Sequence, residues 1–400
     1  MDAARRKEVL SRGKLPVAWK GEPQLGGWYT EEEIEATVKA IRDSMDPNVG
    51  FGFIVKEITD FEEAFAAYTG AQFAVSLSTA SVGLDLAVMC LDLAPGDEVI
   101  VPAVNFRASA LAVLGQGGSV VFCDVDERTF CADPEDVERR ITPRTRAILP
   151  THMNGLSADV DALLAVAERH PHPRHGPPKV IGDAARACGG GYKGTKIGKR
   201  GWCTVFSFHT MKLMTTLGEG GMVTTDDAAL AERLRALRQW GGAGWGSSFK
   251  MTKPQAAVGL VQLRRLDAML ARRKALALQR SALLEGVPEL TLPYEPPGYD
   301  HTFYLYTLLV PPEWAGAKRD RLMAILDQEF GVGCVVANPP TYAGHAFIRE
   351  RTAGQVLPRS EALAARLLCV ALHPLMTEAE NEYIAAAVIE AVARLKAEGV

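Results

Sequence analysis

The sequence predicts an α/β protein: a large domain with a mostly parallel seven-stranded sheet between helices, followed by a smaller α+β C-terminal domain. Three observations carry this. Seven short apolar runs, FAVSL, EVIVPA, SVVFCDV, RAILPTH, KVIGDA, CTVFSF and GGMVTTD, recur between residues 73 and 226. Helical patterns such as VGLDLAVMCLDL, ASALAVLGQG and DVDALLAVAERH fall between several of them. The runs are continuously apolar rather than alternating, as strands covered on both faces must be.

Taken in order, TEEEIEATVKAIRDSM reads as a helix that leads into a glycine-rich link, DPNVGFG. Asp60 with Glu63 reads as a capping box opening the helix FEEAFAAYTG, which Gly70 ends. The alternating strands and helices follow. A long amphipathic helix over about residues 254–284 then carries the chain out of the large domain. Beyond it TFYLYTLLV reads as a strand, and AKRDRLMAILDQEF and EAENEYIAAAVIEAVARLKAE as helices. A chain of 400 residues is too long for one small domain. The expected division is 1–250, an N-terminal segment with the large domain, and 251–400, the interdomain helix with the small domain.

Composition narrows the function. The net charge of −4 offers no broad basic surface for nucleic acid. The start, MDAARRKEVLSRGKLPVAWKGE, lacks the apolar core of a signal peptide. No stretch approaches the roughly 18 apolar residues of a membrane span. The seven cysteines lie mostly in apolar runs without CxxC pairing, which fits buried thiols in a reducing cytoplasm. HPHPRHGPP, with its prolines, reads as a solvated loop, and no metal site is expected.

Ligands in open α/β sheets collect at the carboxyl ends of strands. Four segments there carry candidate chemistry. In SLSTASVGLDLAV, Ser78, Thr79 and Ser81 precede a helix whose free N–H groups either hold a phosphate or are simply capped. In VPAVNFRASALAV, Phe106 either stacks on a heteroaromatic ring or belongs to the core. In KVIGDAARA, Asp183 ends a strand, where a carboxylate needs donors or a cation. It pairs with a cofactor's pyridinium nitrogen or caps a following helix. In CTVFSFHTMKLMTTLGEGGMVTT, Lys212 lies in a turn between a strand and a glycine-rich hairpin. It is either a surface lysine or an amine prepared for a Schiff base by burial and a nearby cation.

These segments, with GDEVIVPA, FCDVD, GLSADVDALL and LHPLMTEAENEYI, resemble the DegT/StrS-type sugar aminotransferase family. That family is a branch of the fold type I enzymes dependent on pyridoxal 5′-phosphate (PLP). The resemblance runs from about Phe61 to Val388, and SFHTMKLMTTLGEGGMVTT is its most specific part. It implies a PLP-dependent aminotransferase. Lys212 forms the Schiff base, Asp183 pairs with the pyridine nitrogen, Phe106 covers one ring face and Ser207 donates to the phosphate. The family's Ser-Gly-Thr appears as Thr79-Ala80-Ser81, so Ala80, Ser81 and the N–H of Val82 join the phosphate site. The implied substrates are an amino donor, L-glutamate or L-glutamine, and a nucleotide-linked keto-sugar or a keto-cyclitol. The segment GSSFKM stands where the family reaches across a dimer interface, which implies a homodimer with shared active sites.

The sequence also departs from the family pattern. Arg186 stands three residues after Asp183, where Gln usually bonds the cofactor's phenolic oxygen. Either its guanidinium takes over that bond or it points to solvent. Ser248 replaces the cross-subunit Asn, and Leu213 follows the lysine where Asn is common. The family's dehydratases carry His in place of the lysine, so Lys212 argues against that branch. Elimination or cyclisation of an amino-acid-like substrate stays open as a second reading.

Overall fold

The computed structural model describes residues 1–13 and 21–398. The seven expected strands all form: β1 (Phe73–Leu77), β2 (Glu98–Pro102), β3 (Ser119–Cys123), β4 (Thr145–Ile148), β5 (Lys179–Asp183), β6 (Cys203–Ser207) and β7 (Gly221–Thr225). They make one sheet in the order β1-β7-β6-β5-β4-β2-β3. The pairs β2–β3, β2–β4, β4–β5 and β5–β6 are parallel. Only β7 runs against its neighbours β1 and β6. The carboxyl ends of the other six strands therefore share one edge of the sheet.

Successive residues of a strand point to opposite faces, and here they feed two separate cores. Ala74 and Ile100 pack with the helices Lys56–Thr69, Val160–Arg169 and Lys253–Leu284. Val75, Val99 and Val101 pack with Ala80–Met89, Ala108–Gly115 and Ala228–Arg238. A third core surrounds a small antiparallel sheet in which Leu367–Val370 lies between Tyr306–Leu309 and Cys334–Val335. The helices Ala317–Phe330 and Glu378–Ala397 cover it. The helix Ala3–Ser11 joins this C-terminal core through Val9, and Arg5 pairs with Glu382 at 2.7 Å.

Two local expectations are corrected. The helix expected to open at Asp60 begins at Lys56, after Val55, which makes no side-chain cap bond. Asp60 lies inside it and pairs with Lys56 at 2.5 Å, so i,i+4 pairing replaces the capping box. Gly70 does end the helix, at φ 78. HPHPRHGPP is not wholly solvated either. His172 is buried: its backbone N–H donates to the Gly176 carbonyl at 2.8 Å and its ring lies beside that of His175.

Residues 22–28 lie across the turn that holds Lys212. The Gly26 N–H donates to the Thr210 carbonyl at 3.0 Å. A Cβ at Gly26 would meet the Lys212 carbonyl oxygen at 2.2 Å, so only glycine permits this approach. Several side chains hold the segment down. Arg273, fully buried on the long helix, donates to the carbonyls of Gly26 and Leu372. His373 contacts the Gly27 carbonyl at 3.0 Å, and Gln262 donates to the Trp28 carbonyl at 2.9 Å. Gly26→Ala is expected to cost about 1–3 kcal/mol through overpacking against the turn backbone. A lower midpoint in chemical denaturation checks this; an unchanged midpoint contradicts the close approach.

Candidate active site

The site forms where β1, β2, β5 and β6 end. Gly221, the first residue of β7, pairs with Leu77 on one side and Ser207 on the other. That places the loop after β1 next to Ser207. A Cβ at Gly221 would lie 2.5 Å from the carbonyl carbon of Thr79, so the loop rests directly on the glycine backbone. Thr79 caps the helix Ala80–Met89, accepting from the Val82 N–H at 3.1 Å. The Val82 N–H, expected to turn toward phosphate, is engaged by Thr79 in this structure. The N–H groups of Ala80 and Ser81, in the first turn, have no intrahelical partner, and Ser81 is exposed. Ser207 is buried and its Oγ accepts from the His209 N–H at 3.3 Å, leaving its own proton to donate. Together these residues make a cup of donors fit for a phosphate.

Asp183 ends β5 almost fully buried. One carboxylate oxygen accepts from Ser109 Oγ at 2.7 Å and the other from the Ala185 N–H at 3.1 Å. No helix follows it, so it is not a helix cap. Among the described residues it has no cationic side chain in ion-pair contact. A buried carboxylate so placed fits a protonated ring nitrogen. Ser109 is fixed in turn by Asn105 at 3.0 Å. Phe106 follows, 49% exposed, with its ring on the surface beside the strand end rather than in the core. Beneath Asp183, burial holds His152 down to about 4, so its ring is neutral.

Lys212 lies in the turn between β6 and β7, beside β5, as expected for neighbouring strand ends. Burial pushes its pKa down to about 8, and the Arg186 guanidinium adds to this, against the pull of Glu22 and Asp183. Its Nζ is 3.5 Å from the Tyr304 hydroxyl, which itself donates to Glu22 at 2.6 Å. Burial pushes the Tyr304 phenol up, so it stays protonated. Arg186 points inward, not to solvent. It donates to Asn154 at 3.3 Å and Asn338 at 2.8 Å, and its guanidinium lies 5.6 Å from the Tyr304 ring centre. Leu213 is buried in the core. Ser248 accepts from Lys250 at 2.8 Å, and the next residue's carbonyl accepts from the Ser78 N–H, just before the phosphate cup.

Ser109, Tyr304, Glu22, Asn154 and Asn338 were not singled out from sequence. Ser109 had a local signal, since it follows Asn105 by four residues and faces it. The others are brought in by distant segments.

The seven-stranded sheet and the lysine turn define an aminotransferase of fold type I. Residues 30–389 match the DegT/DnrJ/EryC1/StrS aminotransferase family. The chain belongs to this family. It is 34% identical to the spore coat polysaccharide biosynthesis protein SpsC of Bacillus subtilis, over 84% of this chain and 90% of that protein. Among solved structures it is similar to DesV of S. venezuelae, determined in complex with a ketimine intermediate. The identity is 35%, the TM-score 0.82, and the match covers 90% of this chain and 95% of that one. An aminotransferase from Psychrobacter cryohalolentis is 29% identical with a TM-score of 0.85, covering 93% and 99%. No helix among the described residues is long and apolar enough to cross a membrane.

A pKa of about 8 makes Lys212 half deprotonated near pH 8. In cofactor-free protein, the rate of forming a borohydride-reducible link with pyridoxal should rise to a plateau with its midpoint there. Arg186→Gln removes a repelling cation, favours the ammonium and moves the midpoint upward. A midpoint near that of free lysine in the wild type contradicts this.

Proposed function

We propose that the protein is a PLP-dependent aminotransferase that moves an amino group from L-glutamate or L-glutamine to a keto-sugar, nucleotide-linked, or to a keto-cyclitol. The carrying observation is the placement of Lys212, an amine whose pKa burial lowers to about 8, on the connection after the strand next to the one that ends in Asp183, a buried carboxylate with no ion-paired side chain among the described residues. SpsC, named for polysaccharide biosynthesis, supports a sugar acceptor.

Bound PLP supplies an electron sink for the carbon that loses its proton. Asp183, fixed by Ser109 and the Ala185 N–H, holds the ring nitrogen's proton. Ala80, Ser81 and Ser207 would hold the phosphate, Phe106 would cover a ring face, and Lys212 would hold the cofactor at rest. Freed for catalysis, its Nζ would take up the donor's Cα proton, and in the reverse half-reaction would return a proton to the acceptor carbon. Tyr304, anchored on Glu22, orients that amine by accepting from it. Lys212→Ala should abolish the cofactor mass on the borohydride-reduced peptide containing residue 212 and lower transamination by at least about a thousandfold. A retained, reducible link at another lysine would sink the assignment.

The enzyme works as a homodimer with shared active sites. Ile34, Ile41, Met45, Phe51, Phe53, Trp240 and Trp245 stand exposed. Phe53 packs edge-on against Trp240 at 5.1 Å, so two of these segments meet in one patch. Apolar patches of this kind mark association surfaces. Nearby, a groove of about 800 Å³ between Glu31–Asp43 and the long helix has Ile34, Val38, Leu260 and Val261 in its walls. Phe53→Glu should weaken self-association about tenfold or more, seen by light scattering as a shift from dimer to monomer. A wild type that is monomeric at all concentrations refutes the shared site.

A further inference from the structure

Arg186 carries a charge that its neighbours do not neutralise. Its Nη1 donates to Asn154 Oδ1 and its Nη2 to Asn338 Oδ1, both neutral amides. Among the described residues it forms no ion pair. The nearby carboxylates are engaged elsewhere: Glu22 accepts from Tyr304, and Asp183 from Ser109 and Ala185.

The two asparagines are built to hold this guanidinium. They sit at φ 53 and 91, in the left-handed region that asparagine tolerates better than most residues. Residues kept there are over-determined by their surroundings and cluster at ligand sites. Their amide nitrogens face away from the arginine. Asn154 Nδ2 donates to Thr307 at 3.0 Å, and Asn338 Nδ2 faces the Met153 sulfur at 3.8 Å. This arrangement aims each Oδ1 at Arg186. Both asparagines are buried.

A guanidinium has five N–H donors. Two are taken by the asparagines, and three remain. One suffices for the cofactor's phenolic oxygen, leaving two for a carboxylate. The guanidinium and the Lys212 amine also face the same ring, 5.6 Å and 4.9 Å from the centre of Tyr304. An amino acid whose Cα is presented to Lys212 carries its carboxylate on that very carbon, beside the ring that Arg186 also faces.

We infer that Arg186, oriented by Asn154 and Asn338, is the residue that recognises a carboxylate of the amino-acid donor. This rests on the transamination reading above. Arg186 contacts the donor, and the two asparagines are positioning residues.

Glutarate, the carbon skeleton of glutamate without its amino group, tests this without any turnover. Titrated calorimetrically into the PLP-loaded wild type, it should bind saturably. Arg186→Gln should weaken binding about ten- to a hundredfold, the worth of a charge-assisted hydrogen bond. Arg186→Lys should recover part of it. Asn338→Asp keeps the acceptor but places an anion on the guanidinium, so it too should weaken glutarate. In turnover, Arg186→Gln should raise KM for L-glutamate by a similar factor, and by more than it changes KM for the ketone acceptor. Equal glutarate affinity in wild type and Arg186→Gln overturns the inference, as does the absence of saturable binding to the wild type. If glutarate binding depends on Arg186 but no amino donor reacts, the transamination reading falls and the carboxylate site stands.

Discussion

The arrangement around Lys212 depends on one buried cation, Arg273. Its guanidinium is fully enclosed on the long helix and meets main-chain carbonyls of Gly26 and Leu372, with Tyr304 at 3.5 Å. Burying a charge is costly unless hydrogen bonds replace its water. Here those bonds come from three segments far apart in the chain. The charge is satisfied only when residues near 26, 304 and 372 converge. Burial pushes the pKa of Arg273 down to about 10, and even so it remains charged at neutral pH. Convergence then fixes Gly26 on the lysine turn and Tyr304 beside the amine.

The reactive amine sits in a field of balanced charges. Burial and Arg186 disfavour the ammonium, while Glu22 and Asp183 favour it. Burial is the largest of these, and residues 22–28 lie against the turn that carries the amine. A neutral amine is what Schiff-base chemistry requires. The N-terminal segment therefore acts on the amine both by lying against its turn and through the charge of Glu22.

The sheet was legible because its strands are apolar on both faces and separated by helices, a pattern local sequence carries in full. All seven strand positions, the long helix and the strand-end placement of Asp183 and Lys212 follow from it. The helix start at Lys56 was not legible, because Val55 provides no side-chain cap and the Asp60–Glu63 pair imitates one inside the helix. The cap at Val82 was not legible for a related reason: from sequence, a threonine before a helix does not reveal whether it caps or frees that donor. Tyr304, Glu22 and Asn338 were invisible for a different reason. Glu22 lies 282 residues from Tyr304, and Arg186 lies 152 from Asn338. No window of sequence contains either pair.

Arg186, Asn154 and Asn338 behave as one unit. Asn338 belongs to a segment clamped at its other end, where Thr341 donates through both its N–H and its hydroxyl to the Ala103 carbonyl, just past β2. Val104 and Pro340 bridge alongside. The guanidinium is thus braced between the end of β5 and a C-terminal segment anchored to the end of β2. Returning position 186 to glutamine alone would strand two asparagines in strained backbone with their acceptors unfilled. Contacting residues of this kind do not combine additively. A cation held on both sides by rigid elements is also pre-organised for its ligand, since little ordering remains to be done on binding. That rigidity supports the proposed recognition of an anionic donor by fixed geometry rather than by a closing loop.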